Sequence, residues 1–263
     1  MEVSPELLTT LSIGFILPFI RIAGVLMTMF ALSSQSVPMV IRLVLALTIT
    51  FAMSSGIEVP NVDLFTVKGF ILVGYQVLIG IMIGLITQFI SQIFVVAGQV
   101  IAMQTGLGFA SLVDPVSGTN TPVVGQFFTV LSTLLFFVMN GHLALLKLIH
   151  LSFTSLPIGF EGFFDIPFIE IAKFGSTMFE VALSLSISSI CAMLLVNFTF
   201  GVMTRAAPQL NIFSLGFAIT MASGIIILSM VLSGFMIHYE DALNKVFSLI
   251  CSTVNLECPI IFD

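Results

Sequence analysis

His142, His150 and His238 are the chain's histidines, and Cys191, Cys251 and Cys258 its cysteines. Together they are the natural donors for a zinc centre, which needs three or four such ligands, usually at short characteristic spacings. Here the histidines are not spaced as metal ligands, and no Cys/His cluster occurs. The cysteines read as small apolar fillers. A phosphate-cradling loop would need Gly-Lys-Ser or Gly-Lys-Thr, and a serine nucleophile an elbow of the Gly-x-Ser-x-Gly type. Neither is present. No catalytic, cofactor-binding or metal-binding residue is assigned, and an enzyme is not expected.

The charges are few enough to take singly. Arg21 follows Pro18 in the first apolar block, and Arg42 begins the second. A charge inside a bilayer is costly and needs a partner or a water-filled surround. Arg42 reads as snorkelling to an interface. Arg21 lies deeper, and is read as an intramembrane charge with a functional or inter-subunit role. The acids avoid the centres of the apolar blocks, with Glu180 the nearest exception.

The longest polar interruption is the mid-chain stretch GLGFASLVDPVSGTNTPVVGQF, Gly106 to Phe127. Its glycines permit unusual backbone angles, and its prolines fix the directions of entry and exit. Read from residues alone, it is a connecting loop in solvent or a loop buried in protein or a water-filled lumen. Only the second kind keeps irregular backbone at membrane depth.

These groups sit in a chain that is 58% hydrophobic and 8% charged, where a soluble domain carries about 25% charged residues. So few charges cannot cover a soluble surface, and the chain reads as an all-α integral membrane protein. The net charge of −6 without a polybasic run argues against nucleic acid as a partner. The start, MEVSPELL, is acidic with no basic n-region, so a cleaved signal peptide is not expected.

Six apolar blocks follow, at roughly 9–32, 37–55, 67–104, 122–156, 174–203 and 212–250. A span needs about 20 residues, which the first two blocks fit. Residues 67–104 as one helix would run about 57 Å, against a hydrocarbon core of about 30 Å. The last block is also overlong. Long, broken helical hairpins that extend beyond the membrane inside a protein assembly are expected. Trp is absent, leaving Tyr75 and Tyr239 for interface belts.

Within the third block Gly80, Gly84, Ser91 and Gly98 fall on one helical face, a small-residue stripe that lets another helix approach closely. Gln88, Gln92 and Gln99 form a second stripe. It marks either helix packing or a polar face lining a shared aqueous path. Both readings need neighbouring helices, more than one chain of this size is expected to supply. Arg205, in the turn from Gly201 to Asn211, points to a cytoplasmic location for that turn. Six crossings would place both termini on the opposite side.

Two stretches carry a specific resemblance. GFASLVDPVSGTNTPVVGQF and TRAAPQLNIFSLGF together resemble the FliR family, export-gate subunits of the bacterial flagellar type III secretion apparatus. The resemblance covers essentially the whole chain. It implies a closed helical cone assembled with FliP and FliQ in the bacterial inner membrane, at the flagellar basal body, with FlhB as a further neighbour. Residues 1–170 would form the ring-forming, FliP-like part and 171–263 a FliQ-like hairpin. The loop from Gly106, Leu107 and Gly108 to Asn120, Thr121 and Pro122 would plug the channel. Phe109, Leu112 and Val113 would supply apolar closure, and Asp114-Pro115 and Thr121-Pro122 the bends. Arg205, Pro208, Gln209 and Asn211 would form the cytoplasmic turn. Unfolded flagellar proteins would be the cargo in transit. A stand-alone secondary transporter is the alternative.

Overall fold

The computed structural model describes residues 5–33, 37–57, 60, 66–108, 122–159, 166–206 and 212–256. Their regular elements are all helical. These are α1 (Pro5–Thr28), α2 (Met39–Met53), a 3₁₀ turn (Ser54–Gly56), α3 (Val67–Thr105), α4 (Val123–Val138), α5 (Gly141–Ser155), α6 (Phe168–Ala206) and α7 (Ile212–Thr253).

The third block is one continuous helix of 39 residues, and at 1.5 Å per residue it runs about 58 Å. α6 also has 39 residues and α7 has 42. These three are long and apolar enough to cross a membrane.

The fourth block is broken, as the expected broken hairpins imply. It breaks at Met139–Asn140, and α4 and α5 meet at an angle of 66°. Asn140 there takes a left-handed φ of 57°. Gly141 follows it because a β-carbon would lie 2.6 Å from the Phe136 ring. The pair makes a fourth crossing if taken as one span. α2 has only 15 residues, about 22 Å. Pro38 precedes it and the 3₁₀ turn ends it. Six full-length crossings are therefore not what the described residues form.

The chain divides into two compact units, residues 1–89, 136–173 and 244–263 in the first and 90–135 and 174–243 in the second. Both units draw on both halves of the sequence. In the first, α1 runs parallel to α3. Gly24 meets Gly80, Thr28 meets Gly84, and the Gln88 amide donates to the Thr28 carbonyl at 2.7 Å. Leu17, Ile22, Val25, Ile79, Ile83 and Ile149 are among the buried side chains of that unit. The second unit packs the later part of α3 against α4, α6 and α7. Its centre is a cluster of Phe94, Phe128, Phe235 and Tyr239, with ring centroids 4.7–6.3 Å apart.

Candidate functional site

The mid-chain loop is held at its base by glycines, each with a separate reason. α3 ends at Thr105 and Gly106 takes a φ of 78°, a left-handed angle that an L side chain resists. The Gly108 amide then donates back to the Ala102 carbonyl at 2.9 Å. A β-carbon on Gly106 would meet the Phe217 ring and the Thr220 hydroxyl at 3.6–3.7 Å, in ordinary contact. α7 thus lies beside the first residue of the loop. One step along, Gly224 admits Thr105, since a β-carbon at residue 224 would lie 2.5 Å from the Thr105 β-carbon.

The far end of the loop enters α4 through Pro122, which is buried. Two turns into α3 from the loop, Gly98 meets Gly125 of α4. A β-carbon on Gly98 would sit 2.6 Å from the Gly125 Cα. The two stalks of the loop therefore touch backbone to backbone. Gly106, Leu107, Gly108 and Pro122 belong to this described base. Phe109, Leu112, Val113, Asp114, Pro115, Asn120 and Thr121 lie outside the described residues.

Arg21 is fully buried, and its partners lie within its own chain. Nε donates to Gln76 Oε1 at 2.8 Å, Nη1 to the Ser152 carbonyl at 2.9 Å and its hydroxyl at 3.2 Å, and Nη2 to the Leu156 carbonyl at 2.9 Å. The guanidinium also stands over the Phe153 ring, 4.3 Å from its centroid. Ser152 and Leu156 are at the C-terminal end of α5, where a cation is favoured; the Ser152 carbonyl also accepts from the Leu156 amide at 3.0 Å. One planar fork thus ties α1, α3 and α5 together. Neutral acceptors of the same chain occupy the guanidinium. Arg42 donates locally, from Nη2 to the Val37 carbonyl at 2.9 Å.

Along the small-residue stripe, a β-carbon on Gly80 would collide with the Arg21 carbonyl, and one on Gly84 with the Thr28 hydroxyl and the Val25 carbonyl. Gly98 faces Gly125, and Ser91 is buried. The helices that fill the glycine positions are α1 and α4 of this chain. Of the glutamines, Gln88 bonds α1, Gln92 is exposed and Gln99 half-buried. Arg205 is exposed in the last turn of α6. Pro208, Gln209 and Asn211 lie outside the described residues.

The cysteines need correction. Cys191 is a free, exposed residue of α6. Cys251, almost fully buried, is disulfide-bonded. Neither is a plain apolar filler. Among the described residues no group of His, Cys, Asp and Glu comes together that could hold a metal ion.

A family model for bacterial export proteins, family 1, matches residues 12–246. The flagellar biosynthetic protein FliR of Escherichia coli K12 is 35% identical over 244 residues, 93% of each chain. The protein of that name in Bacillus subtilis 168 is 30% identical over 245 residues, 92% of this chain and 93% of its own. The chain belongs to the FliR family. The matched region takes in Arg21, the glycine-held loop base and Arg205. It ends before Cys251 and Cys258.

The Arg21 clamp was half visible in the sequence. A lone arginine in an apolar block signals a partner, but Gln76, Ser152 and Leu156 stand 55 to 135 residues away. The Asn140-Gly141 pair is a turn dipeptide that could have marked the break in the fourth block.

Proposed function

We propose that this chain is a non-enzymatic structural subunit of the flagellar protein export gate. With FliP and FliQ it forms a closed channel in the bacterial cytoplasmic membrane through which unfolded flagellar proteins pass. Residues 1–170 supply the FliP-like part and 171–263 the FliQ-like hairpin, with FlhB adjoining. The loop from Gly106 to Pro122 restricts the channel. The observation that carries the reading is the rigid base of that loop. Gly98 against Gly125, Gly106 beside Phe217 and Thr105 in the notch at Gly224 fix both stalks. These helix contacts are made at the base, without residues 109–121.

A second observation favours a subunit over a stand-alone transporter. Glu180 is exposed on α6, a helix apolar enough to span. A carboxylate turned toward lipid is costly. Ser184 and Ser188 share its face one and two turns on, and both are exposed. Partner subunits or a water-filled lumen supply the polar surround that this face needs.

The test is deletion of Leu107–Val113 in cells that carry the whole export apparatus. The helices should stay intact and the complex should assemble. Small ions and solutes should then enter more readily, measured as solute uptake or loss of membrane potential. Phe109→Ala should leak in the same direction, but less. A fully assembled deletion variant no leakier than wild type would remove the gating role. A gently solubilised protein whose native mass is that of a monomer would remove the gate assembly and restore the transporter.

A further inference from the structure

Two carboxylates of the second unit have no answering charge. Glu180 on α6 and Glu240 on α7 are exposed, and neither meets a donor or a cation among the described residues. Among the described residues of that unit the one Lys or Arg is Arg205, and it stands 25 positions along α6 from Glu180, about 38 Å at 1.5 Å per residue. Both helices turn their carboxylate away from the core, toward which Val181, Leu185 and Ser189 of α6 and Phe235, Tyr239 and Ala242 of α7 are buried. Contacts within the unit fix the relative depth. The Ser186 hydroxyl of α6 donates to the Ala97 carbonyl of α3 at 3.4 Å, and the Ser223 hydroxyl of α7 lies 3.8 Å from the Met193 sulfur of α6. Phe235 packs on Phe94, and Gly224 admits Thr105. α7 therefore runs antiparallel to both α3 and α6. Glu180 is thirteen residues before Met193, and Met236 thirteen after Ser223. Glu180 and Glu240 thus stand at the same depth to within about one helical turn, roughly 6 Å.

Each carboxylate is set in an apolar surface. Phe179, Leu183 and Ile187 flank the Glu180 face, and Ile226, Met230 and Ile237 flank the Glu240 face, all of them exposed. On α7 the exposed Ser229 and Ser233 fall in line with Glu240, as Ser184 and Ser188 do with Glu180 on α6. The Ser229 and Ser233 hydroxyls donate to the Ile226 and Met230 carbonyls at 2.6 Å, so they present a small surface already satisfied within the helix. Small residues of this kind let a second helix approach closely. Lipid would leave the carboxylates unpaired, and a water-lined wall has no use for so many large apolar side chains. We infer that each face docks an apolar helix of a neighbouring membrane subunit, packed over the serines, with a lysine or arginine of that helix opposite Glu180 or Glu240. Because the two carboxylates share one depth, one kind of helix, with its cation at one height, fits both faces. The inference rests on the reading of this chain as one subunit of a larger assembly, and adds to it the chemistry of the neighbours.

The experiment places the photo-crosslinking residue p-benzoylphenylalanine at Ile187 or at Ile237 of the full chain, in cells that carry the whole export apparatus. Both positions already hold a large apolar side chain, and both glutamates stay in place. Adducts are mapped by mass spectrometry. Each position should link to a membrane helix of another subunit that carries a lysine or arginine within about one turn of the linked residue. Glu180→Lys and Glu240→Lys should then each lower co-purification of the subunit linked at their own face by about tenfold or more, as loss of a desolvated charge pair does. Changing the mapped cation to glutamate should restore it. Adducts to lipid alone, no adduct, a linked segment without a cation, or co-purification unchanged by the charge reversal would each overturn docking at that face. The native mass of the solubilised wild type separates the two readings. A large complex with lipid adducts at both positions removes the docking and keeps the assembly, whereas a monomer removes both.

Discussion

Gly98 and Gly125 meet where α3 crosses α4, so close that a β-carbon on Gly98 would lie 2.6 Å from the Gly125 Cα. The obstacle is backbone, which cannot swing aside as a flexible side chain would. Gly98→Ala should therefore destabilise the chain by about 1–3 kcal/mol, the usual cost of overpacking. Gly74 and Gly175 also lie within long helices, but nothing stands within 4 Å of a β-carbon at either. Alanine there should be neutral or favourable by about 1 kcal/mol, from helix propensity alone. Thermal unfolding of the solubilised protein separates the cases. Equal midpoints for Gly98→Ala and Gly74→Ala would show that the crossing is looser than described.

Arg21 is the second point where helices are locked together. Arg21→Met keeps much of the volume but removes the donor to the Leu156 carbonyl, while the Ser152 carbonyl keeps the Leu156 amide as a donor. Each buried acceptor left unmet costs about 1–3 kcal/mol. Arg21→Lys should rescue little, because a single ammonium cannot reproduce a planar fork that reaches Gln76, Ser152 and Leu156 together. Gln76→Leu removes one bond to a charged donor, worth about 1.5–3 kcal/mol. The two changes share a partner, so the double variant should lose less than the sum of the singles. Strict additivity in an unfolding titration would show that the Arg21–Gln76 bond carries no stability.

How much of this was open to reading from the sequence depended on whether a feature is local. The 39-residue α3 was foreseeable, because residues 67–104 hold no proline and only spaced glycines. The stripe of Gly80, Gly84 and Gly98 was visible for the same reason, since helical spacing alone aligns it. What fills the stripe was not, because Gly24 and Gly125 become partners only through the fold. α6 begins at Phe168, six residues before its apolar block, because Glu170 and Lys173 dilute the hydropathy of a turn that Pro167 is placed to start. Cys251 looked like any small apolar residue. No periodicity announces that it is disulfide-bonded.

Tyr239 tests the aromatic centre of the second unit. Its hydroxyl donates to the Ser132 carbonyl at 2.9 Å, while its ring stacks among Phe94 and Phe235. Tyr239→Phe removes the bond and keeps the ring, so a loss of about 0.5–1.5 kcal/mol is expected. Tyr239→Ala empties a fully buried site and should cost about 3–5 kcal/mol. Denaturant or thermal midpoints of the two variants should therefore differ clearly. If Tyr239→Phe is as damaging as Tyr239→Ala, the hydroxyl and not the ring holds this core.

The apex between α6 and α7 tests the sidedness of the chain. Arg205 sits exposed in the last turn of α6, where a cation is favoured by the helix end, and a cytoplasmic placement of this turn is the expectation under test. A cysteine at Gln209 reports on the apex directly, once the free Cys191 is replaced by serine. Cys251, held in a disulfide, stays silent toward maleimides. A membrane-impermeant maleimide should then label Gln209→Cys in opened cells or inverted vesicles, and not from the outside of intact cells with a permeabilised outer membrane. α7 is a single helix of 42 residues, about 63 Å long and twice the depth of the hydrocarbon core. If it crosses the membrane, its two ends cannot lie on the same side. Outside labelling of residue 209 would overturn the cytoplasmic placement expected of the turn after Arg205, and would put the far end of α7 on the cytoplasmic side instead.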